Sequence, residues 1–274
     1  MSLALYSHFH KEFPFNWNSK WVIPTYTGGR EAYAWMSPDE TKPFRNVNSS
    51  GETINKFRHY YSSVSEDEFL RALGQQATEY WMINNAKDFD YLGCTTYRRY
   101  LLLDRKAEKN VAKIEMPASE QAASQFGTDE QLDLAMEYLQ TAEVLTNHSI
   151  ALPYSVEQQY LMYEPPEYWN LFKDAIVHLY PQYRQHMTWF THNNIIHFET
   201  TYIMRRDLYV RYANELFSIL TYIWENCSEV FPTKQMTSEP LPWRYPGFLG
   251  ERFFPFVVYA NSLKKIQVPL VLLH

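Results

Sequence analysis

The chain has 274 residues, 46% hydrophobic and 20% charged, with a formal charge of -6. That balance excludes a disordered chain and a nucleic-acid binder that works through a broad basic face. Its two cysteines, Cys94 and Cys227, build neither a disulfide framework nor a CxxC metal spacing, and it holds no run of about 18 apolar residues to span a membrane.

Leu3 to Ser7 is a predicted first strand, running into Ser7-His8-Phe9-His10-Lys11. Two histidines and a lysine at that point either face a nucleotide or simply meet water. Trp21-Val22-Ile23-Pro24 is a second short apolar run, stopped at Thr27-Gly28-Gly29. No GxGxxG or GxxxxGK[ST] occurs, so Rossmann dinucleotide and P-loop readings fail. Residues 37–66 are polar and turn-rich and read as a long loop. Glu66 to Asn84 is predicted helical from the spacing of Phe69, Leu70, Leu73, Ala77, Tyr80 and Trp81, with Ser65 as N-cap.

Tyr91 to Thr96 is short, apolar and rich in β-formers, the mark of a buried strand. Tyr97, Arg98 and Arg99 follow it directly. Ligands of open α/β sheets lie beyond the carboxyl ends of strands, and Arg forks onto phosphate and carboxylate. These three residues therefore face an anionic ligand, or the arginines make structural salt bridges. Lys106 to Gly127 reads as a polar surface excursion. Thr128 is a predicted N-cap, with Leu132, Ala135, Met136, Leu139 and Ala142 as the stripe of its helix. Ser149 to Leu152 is a short strand, and Ser155 caps a helical turn through Tyr160. Pro165-Pro166 open another helix that Pro181 ends. Asn194 to Met204 alternates and reads as one strand, and Asp207 opens a long helix to about Asn226. Phe231 to Trp243 is loop. Arg244-Tyr245-Pro246-Gly247-Phe248-Leu249-Gly250-Glu251-Arg252-Phe253 then leads into a helix or strand, Phe253 to Tyr259. The tail Ile266 to Leu273 is packed core or an edge strand. No internal repeat appears, Met1 to Lys11 does not read as a signal peptide, and one cytoplasmic domain over 1–274 is expected. The 22 Tyr, 17 Phe and 8 Trp either fill a core or line a sugar pocket.

Three segments together resemble a bacterial glycosyltransferase-like family linked to capsule and exopolysaccharide synthesis. The family reads "YWAWKN" and then "GLCHYRRYF"; here stand Tyr80-Trp81-Met82-Ile83-Asn84-Asn85 and Gly93-Cys94-Thr95-Thr96-Tyr97-Arg98-Arg99-Tyr100. Its "NMFIMKKELFDEYCEWLFDIL" compares with Thr200-Thr201-Tyr202-Ile203-Met204-Arg205-Arg206-Asp207-Leu208, running to Leu220. Its "R-x-x-GFLSERL" compares with Arg244 to Phe253, and its "HK" with His10-Lys11. The order is kept along nearly the whole chain. The chain departs from the pattern at Thr96, where the family has His, and at Thr200, where it has Asn. The family's "Y-x-x-H" compares with Tyr160 and Tyr163.

The resemblance implies a GT-A-like nucleotide-diphospho-sugar transferase fold, a single α/β/α domain with a central mixed sheet. It implies a nucleotide-diphosphate sugar as donor, a UDP-sugar first, and a glycan or lipid-linked acceptor. It brings no nucleic-acid partner and leaves room for peripheral membrane association. The leaving diphosphate needs cations, from Mn2+ or Mg2+ or from fixed side chains. Asp88-Phe89-Asp90 has the D-x-D pattern but precedes the strand, so it reads as a connection. Asp104 is the candidate metal ligand. Tyr97, Arg98, Arg99, His10, Lys11, Asn194, His197, Arg244 and Gly247 are the candidate nucleotide-sugar contacts. Glu251 is the candidate base for the acceptor hydroxyl, with Arg252 beside it. A catalytically degenerate module of the same fold, binding a nucleotide or glycan, is the alternative.

Overall fold

The computed structural model describes residues 1–9, 13–26, 45–46, 56–61, 69, 73–104, 111–198, 201–227 and 245–274. The chain opens with β1 (Leu3–Phe9) and β2 (Val22–Tyr26), apolar runs too short for helices, and continues with β3 (Arg45–Asn46). Helix α1 (Gln75–Asn85) leads to β4 (Tyr91–Thr96), β5 (Arg99–Leu101), β6 (Lys113–Met116) and α2 (Glu120–Ala123). The Thr128 side chain accepts from the Gln131 amide and starts α3 (Asp129–Leu139), which is followed by β7 (Val144–Asn147) and β8 (Ile150–Ala151). Ser155 and Gln158 form a capping box on α4 (Val156–Leu161), and Pro166 takes the first turn of α5 (Pro166–Leu179). The remainder is α6 (Met187–His192), β9 (Ile195–Ile196), β10 (Tyr202–Arg205), α7 (Arg206–Asn226), α8 (Tyr245–Ala260), β11 (Lys265–Val268) and β12 (Leu270–Leu273).

Among the described residues, seven strands form the main sheet in the order β11-β7-β10-β4-β1-β2-β3. Only β10 runs antiparallel to its neighbours, β4 and β7. The chain builds outward from β1 to β2 and β3, then returns to add β4 on the other side of β1. That reversal puts a switch point in the strand order at the carboxyl ends of β1 and β4, where open α/β sheets bind ligands.

Side chains alternate across the strands and feed two cores. Ala4, Tyr6, Leu92, Cys94, Tyr202 and Met204 face a large aromatic core shared with α1, α5, α7 and α8. Leu3, Leu5, Phe9, Leu145 and Ile203 face Leu134, Ala135 and Leu139 of α3. Gly93 makes the centre of the sheet possible: a Cβ there would lie 2.4 Å from the Tyr202 carbonyl oxygen and 2.9 Å from Leu5 Cδ1.

Several expectations change. Lys106 to Gly127 is more than a surface excursion: β6 pairs with β12, and Ala122, Ala123 and Phe126 pack on Tyr100, Val271 and Leu273. Asn194 to Met204 is two strands, because β9 pairs with β8 while β10 enters the main sheet. Phe253 to Tyr259 is helix. The expected helix from Glu66 is described as α1 from Gln75, and Ser65 lies outside the described residues. The apolar tail supplies an edge strand of the main sheet, β11, and the middle strand of a small sheet, β5-β12-β6.

Candidate functional site

Polar residues close the carboxyl end of one strand after another. Ser7 and His8 lie near the end of β1 and Thr25 near the end of β2, Thr95 and Thr96 end β4, and Thr146 and Asn147 end β7. Apart from Thr96, all are buried. Helix α1 runs back along the sheet, so its first turns meet this edge. Thr78 Oγ1 lies 3.2 Å from both His8 Nδ1 and Thr25 Oγ1. One step deeper, Glu79 is buried and accepts from Tyr202 (2.8 Å) and Gln75 (3.0 Å). Burial pushes its carboxyl above the ordinary value, and those two hydrogen bonds oppose the shift.

The arginines lie at this edge. After Thr96 the chain turns through Tyr97 and Arg98, and β5 begins at Arg99. Two sides hold the turn. The Tyr97 amide donates to the His8 carbonyl at 3.0 Å, and the Leu273 amide donates to the Arg98 carbonyl at 2.9 Å. Arg98 and Arg99 are each half-buried. Among the described residues Arg98 forms no ion pair. Tyr97 corrects the expectation that it faces a ligand. Its ring is 2% exposed and packs on Phe9 and Phe13, at centroid distances of 5.4 and 4.9 Å.

The Gly247 to Arg252 stretch occupies the first half of α8, against the first turn of α1. Gln76 Nε2 donates to the Pro246 carbonyl at 2.5 Å, and a Cβ on Gly250 would lie 2.6 Å from that same nitrogen. Gly247 and Glu251 are one turn apart and share a face of the helix. Both are half-buried, and a Cβ on Gly247 would have nothing within 4 Å. That face is open.

Arg252 lies in the core, where the charge of Glu251 still acts on it. It is 4% exposed. Its Nη1 donates to the Phe248 carbonyl at 2.6 Å, its Nη2 donates to Gln159 Oε1 of α4, and its guanidinium lies 5.1 Å from the Tyr160 ring centre. Burial lowers its pKa, against the opposing charges of Glu251, Tyr160 and Glu164. Burial also raises Glu164 to about 7, with Arg252 pulling the other way.

The remaining candidates divide. Asn194 donates its side-chain amide to the Leu152 carbonyl at 2.8 Å, which ties β8 to β9. His197 is 1% exposed, with Nδ1 2.9 Å from the Asn147 carbonyl oxygen; burial drives its pKa down to about 3, so the ring is neutral. His197 supports the edge from within, while Asn194 is exposed. Asp104 is exposed, past the end of β5, and among the described residues no group of three His, Cys, Asp or Glu assembles to hold a metal. Asp90 accepts from the Ser2 amide at 2.7 Å at the amino end of β4, as a connection does. His10, Lys11 and Arg244 lie outside the described residues.

The sequence reading missed Thr25, Thr78, Thr95, Thr146, Asn147 and Thr201. β4 and β7 end on polar residues, Thr95-Thr96 and Thr146-Asn147, but no local pattern shows that these meet.

The family described as Domain of unknown function (DUF4422) matches residues 76–263. The chain belongs to this family. The DUF4422 match takes in Thr78, the arginine turn and the open face of α8. No curated protein matches the chain. Among solved structures, the apo structure of the bifunctional glycosyltransferase WbbM aligns over 100% of this chain with a TM-score of 0.72 at 18% identity. The DUF4422 chain spans 45% of that protein's length. The likeness shows the fold: a mixed α/β architecture of the GT-A-like kind. Among the described residues no helix is long and apolar enough to cross a membrane.

Proposed function

We propose that this DUF4422 protein is a glycosyltransferase of the hexosyltransferase type. Its donor is a nucleotide-diphosphate sugar, a UDP-sugar first, and its acceptor a glycan or lipid-linked glycan in capsule or exopolysaccharide synthesis. The reaction takes place in the cytoplasm, with the acceptor free or at a membrane surface. One observation carries the reading: Arg98 and Arg99 stand at the carboxyl end of β4, beside the reversal in strand order. In sugar transfer the anomeric carbon gains positive charge while the diphosphate leaves with negative charge. Two guanidinium groups held at a fixed turn stabilise that leaving group without reorganising.

Glu251 takes the proton of the acceptor hydroxyl, and bare Gly247 one turn earlier leaves room for the acceptor to approach. Arg252 anchors α8 from behind. His10, Lys11 and Arg244 contact the nucleotide, while Asn194 and His197 shape the sugar side of the site through backbone contacts. Mn2+ or Mg2+ would add charge at the diphosphate, with Asp104 as its candidate ligand. Asp104 belongs to no cluster of three His, Cys, Asp or Glu among the described residues.

Calorimetry with uridine and guanosine diphosphates, with and without Mn2+, tests the reading. Binding is expected, and Arg98→Ala or Arg99→Ala should remove most of it. Binding that both variants leave intact would refute the arginine assignment. Donor-sugar hydrolysis that survives Glu251→Gln would refute the base. The second reading is a binding module without turnover. What favours it is the burial of Arg252, whose guanidinium bonds Gln159 and the Phe248 carbonyl from within the core.

A further inference from the structure

We infer that Thr95 and Thr201 are positioning residues for the arginine turn, joined in a directed chain of hydroxyls. Thr95 Oγ1 donates to the Arg99 carbonyl at 3.1 Å. A threonine hydroxyl has one proton. The 2.8 Å contact between Thr95 Oγ1 and Thr201 Oγ1 is therefore closed by the proton of Thr201. Thr201 is fixed in turn from β7. Its carbonyl accepts from Thr146 Oγ1 at 2.9 Å, and its amide donates to Asn147 Oδ1 at 3.1 Å. The bonds thus pass from β7 through the start of β10 to β4 and end on the carbonyl of Arg99. On the other side the Leu273 amide holds the carbonyl of Arg98. Both arginine peptides are pinned, which sets where their side chains begin.

Thr95, Thr146 and Thr201 are each at most 1% exposed, so water does not replace a lost partner. Valine would satisfy the strand and the burial equally well. What valine lacks is the proton that ends on the turn.

The inference rests on the reading that Arg98 and Arg99 hold a diphosphate, and the experiment separates the two. Uridine and guanosine diphosphates are titrated calorimetrically into the wild type, Thr95→Val, Thr201→Val, Thr95→Ser and Arg99→Ala, well below each melting temperature. The Val variants are expected to bind about three- to tenfold more weakly, the scale of one buried hydrogen bond. Thr95→Ser should recover binding to within about twofold. Faster hydrogen exchange at the Leu273 amide should accompany the Val variants. If these bind like wild type while Arg99→Ala loses binding, the positioning role is wrong and the transferase reading stands. Should Arg99→Ala bind normally, or the wild type bind neither nucleotide, both fall. Thr201→Val keeps the bond from Thr95 to the turn and carries the test if Thr95→Val does not fold.

Discussion

The turn after β4 and the middle of α8 each place arginine within an aromatic run. Arg98 and Arg99 are half-buried at the carboxyl edge of the sheet, where hydrogen bonds hold their backbone and Arg98 has no ion-pair partner among the described residues. Arg252 is buried, its guanidinium spent on Gln159, the Phe248 carbonyl and the face of Tyr160. The difference lies in where the protein invests its hydrogen bonds. At the turn they fix the main chain, and the Arg98 side chain forms no ion pair among the described residues. In α8 they consume the side chain and fix the helix, which presents its neighbours Gly247 and Glu251.

The contrast breaks first at Arg252. Arg252→Ala removes two hydrogen bonds and a filled volume, and should cost about 3 kcal/mol of unfolding free energy in a denaturant titration. Arg252→Met, which refills the volume, should cost less. An unchanged denaturation midpoint for Arg252→Ala would mean the buried guanidinium holds nothing. Arg98→Ala is the mirror case. Its stability should move by less than about 0.5 kcal/mol, while affinity for uridine diphosphate should drop about 10- to 100-fold.

Smaller effects sharpen the same contrast. Ser155→Ala breaks the capping box of α4, which carries Gln159 and Tyr160 to Arg252, and should cost about 1 kcal/mol by thermal or chemical unfolding. The smallest is a pH effect at Glu164. Its folded pKa of about 7 lies above the unfolded value of 4.5, so between those values the folded state binds more protons. Stability from this group is therefore full below about pH 4.5 and lost as pH rises through about 7. Glu164 is half-buried, so solvent trims the size of the effect. Glu164→Gln should flatten this part of the stability–pH curve. A curve that keeps its shape in the variant would assign the slope to another group.

Much of the fold is local and was legible. Tyr91 to Thr96 is a strand as its apolar run predicts, and Thr128, Ser155 and Pro166 start helices where their capping chemistry places them. The failures have the same origin. β6 and α2 are four residues each, too short to show a period. β9 and β10 read as one strand because alternation does not reveal which partner each half will find. In the site, the arginine pair was visible as charge at the end of an apolar run. The polar edge was not, because Thr78, Thr95, Thr146 and Thr201 are far apart in the chain and meet only when the strands line up.

By itself the sequence determined which stretches become strands and helices and where charge and glycine interrupt them, since turn, cap and period are set by neighbours within a few residues. Only the tertiary structure decided that Tyr97 turns into the core, that Arg252 is buried against α4, and that Thr201 reaches Thr95 to pin the arginine turn. Burial and long-range hydrogen bonds depend on which element packs against which, and no local pattern encodes that.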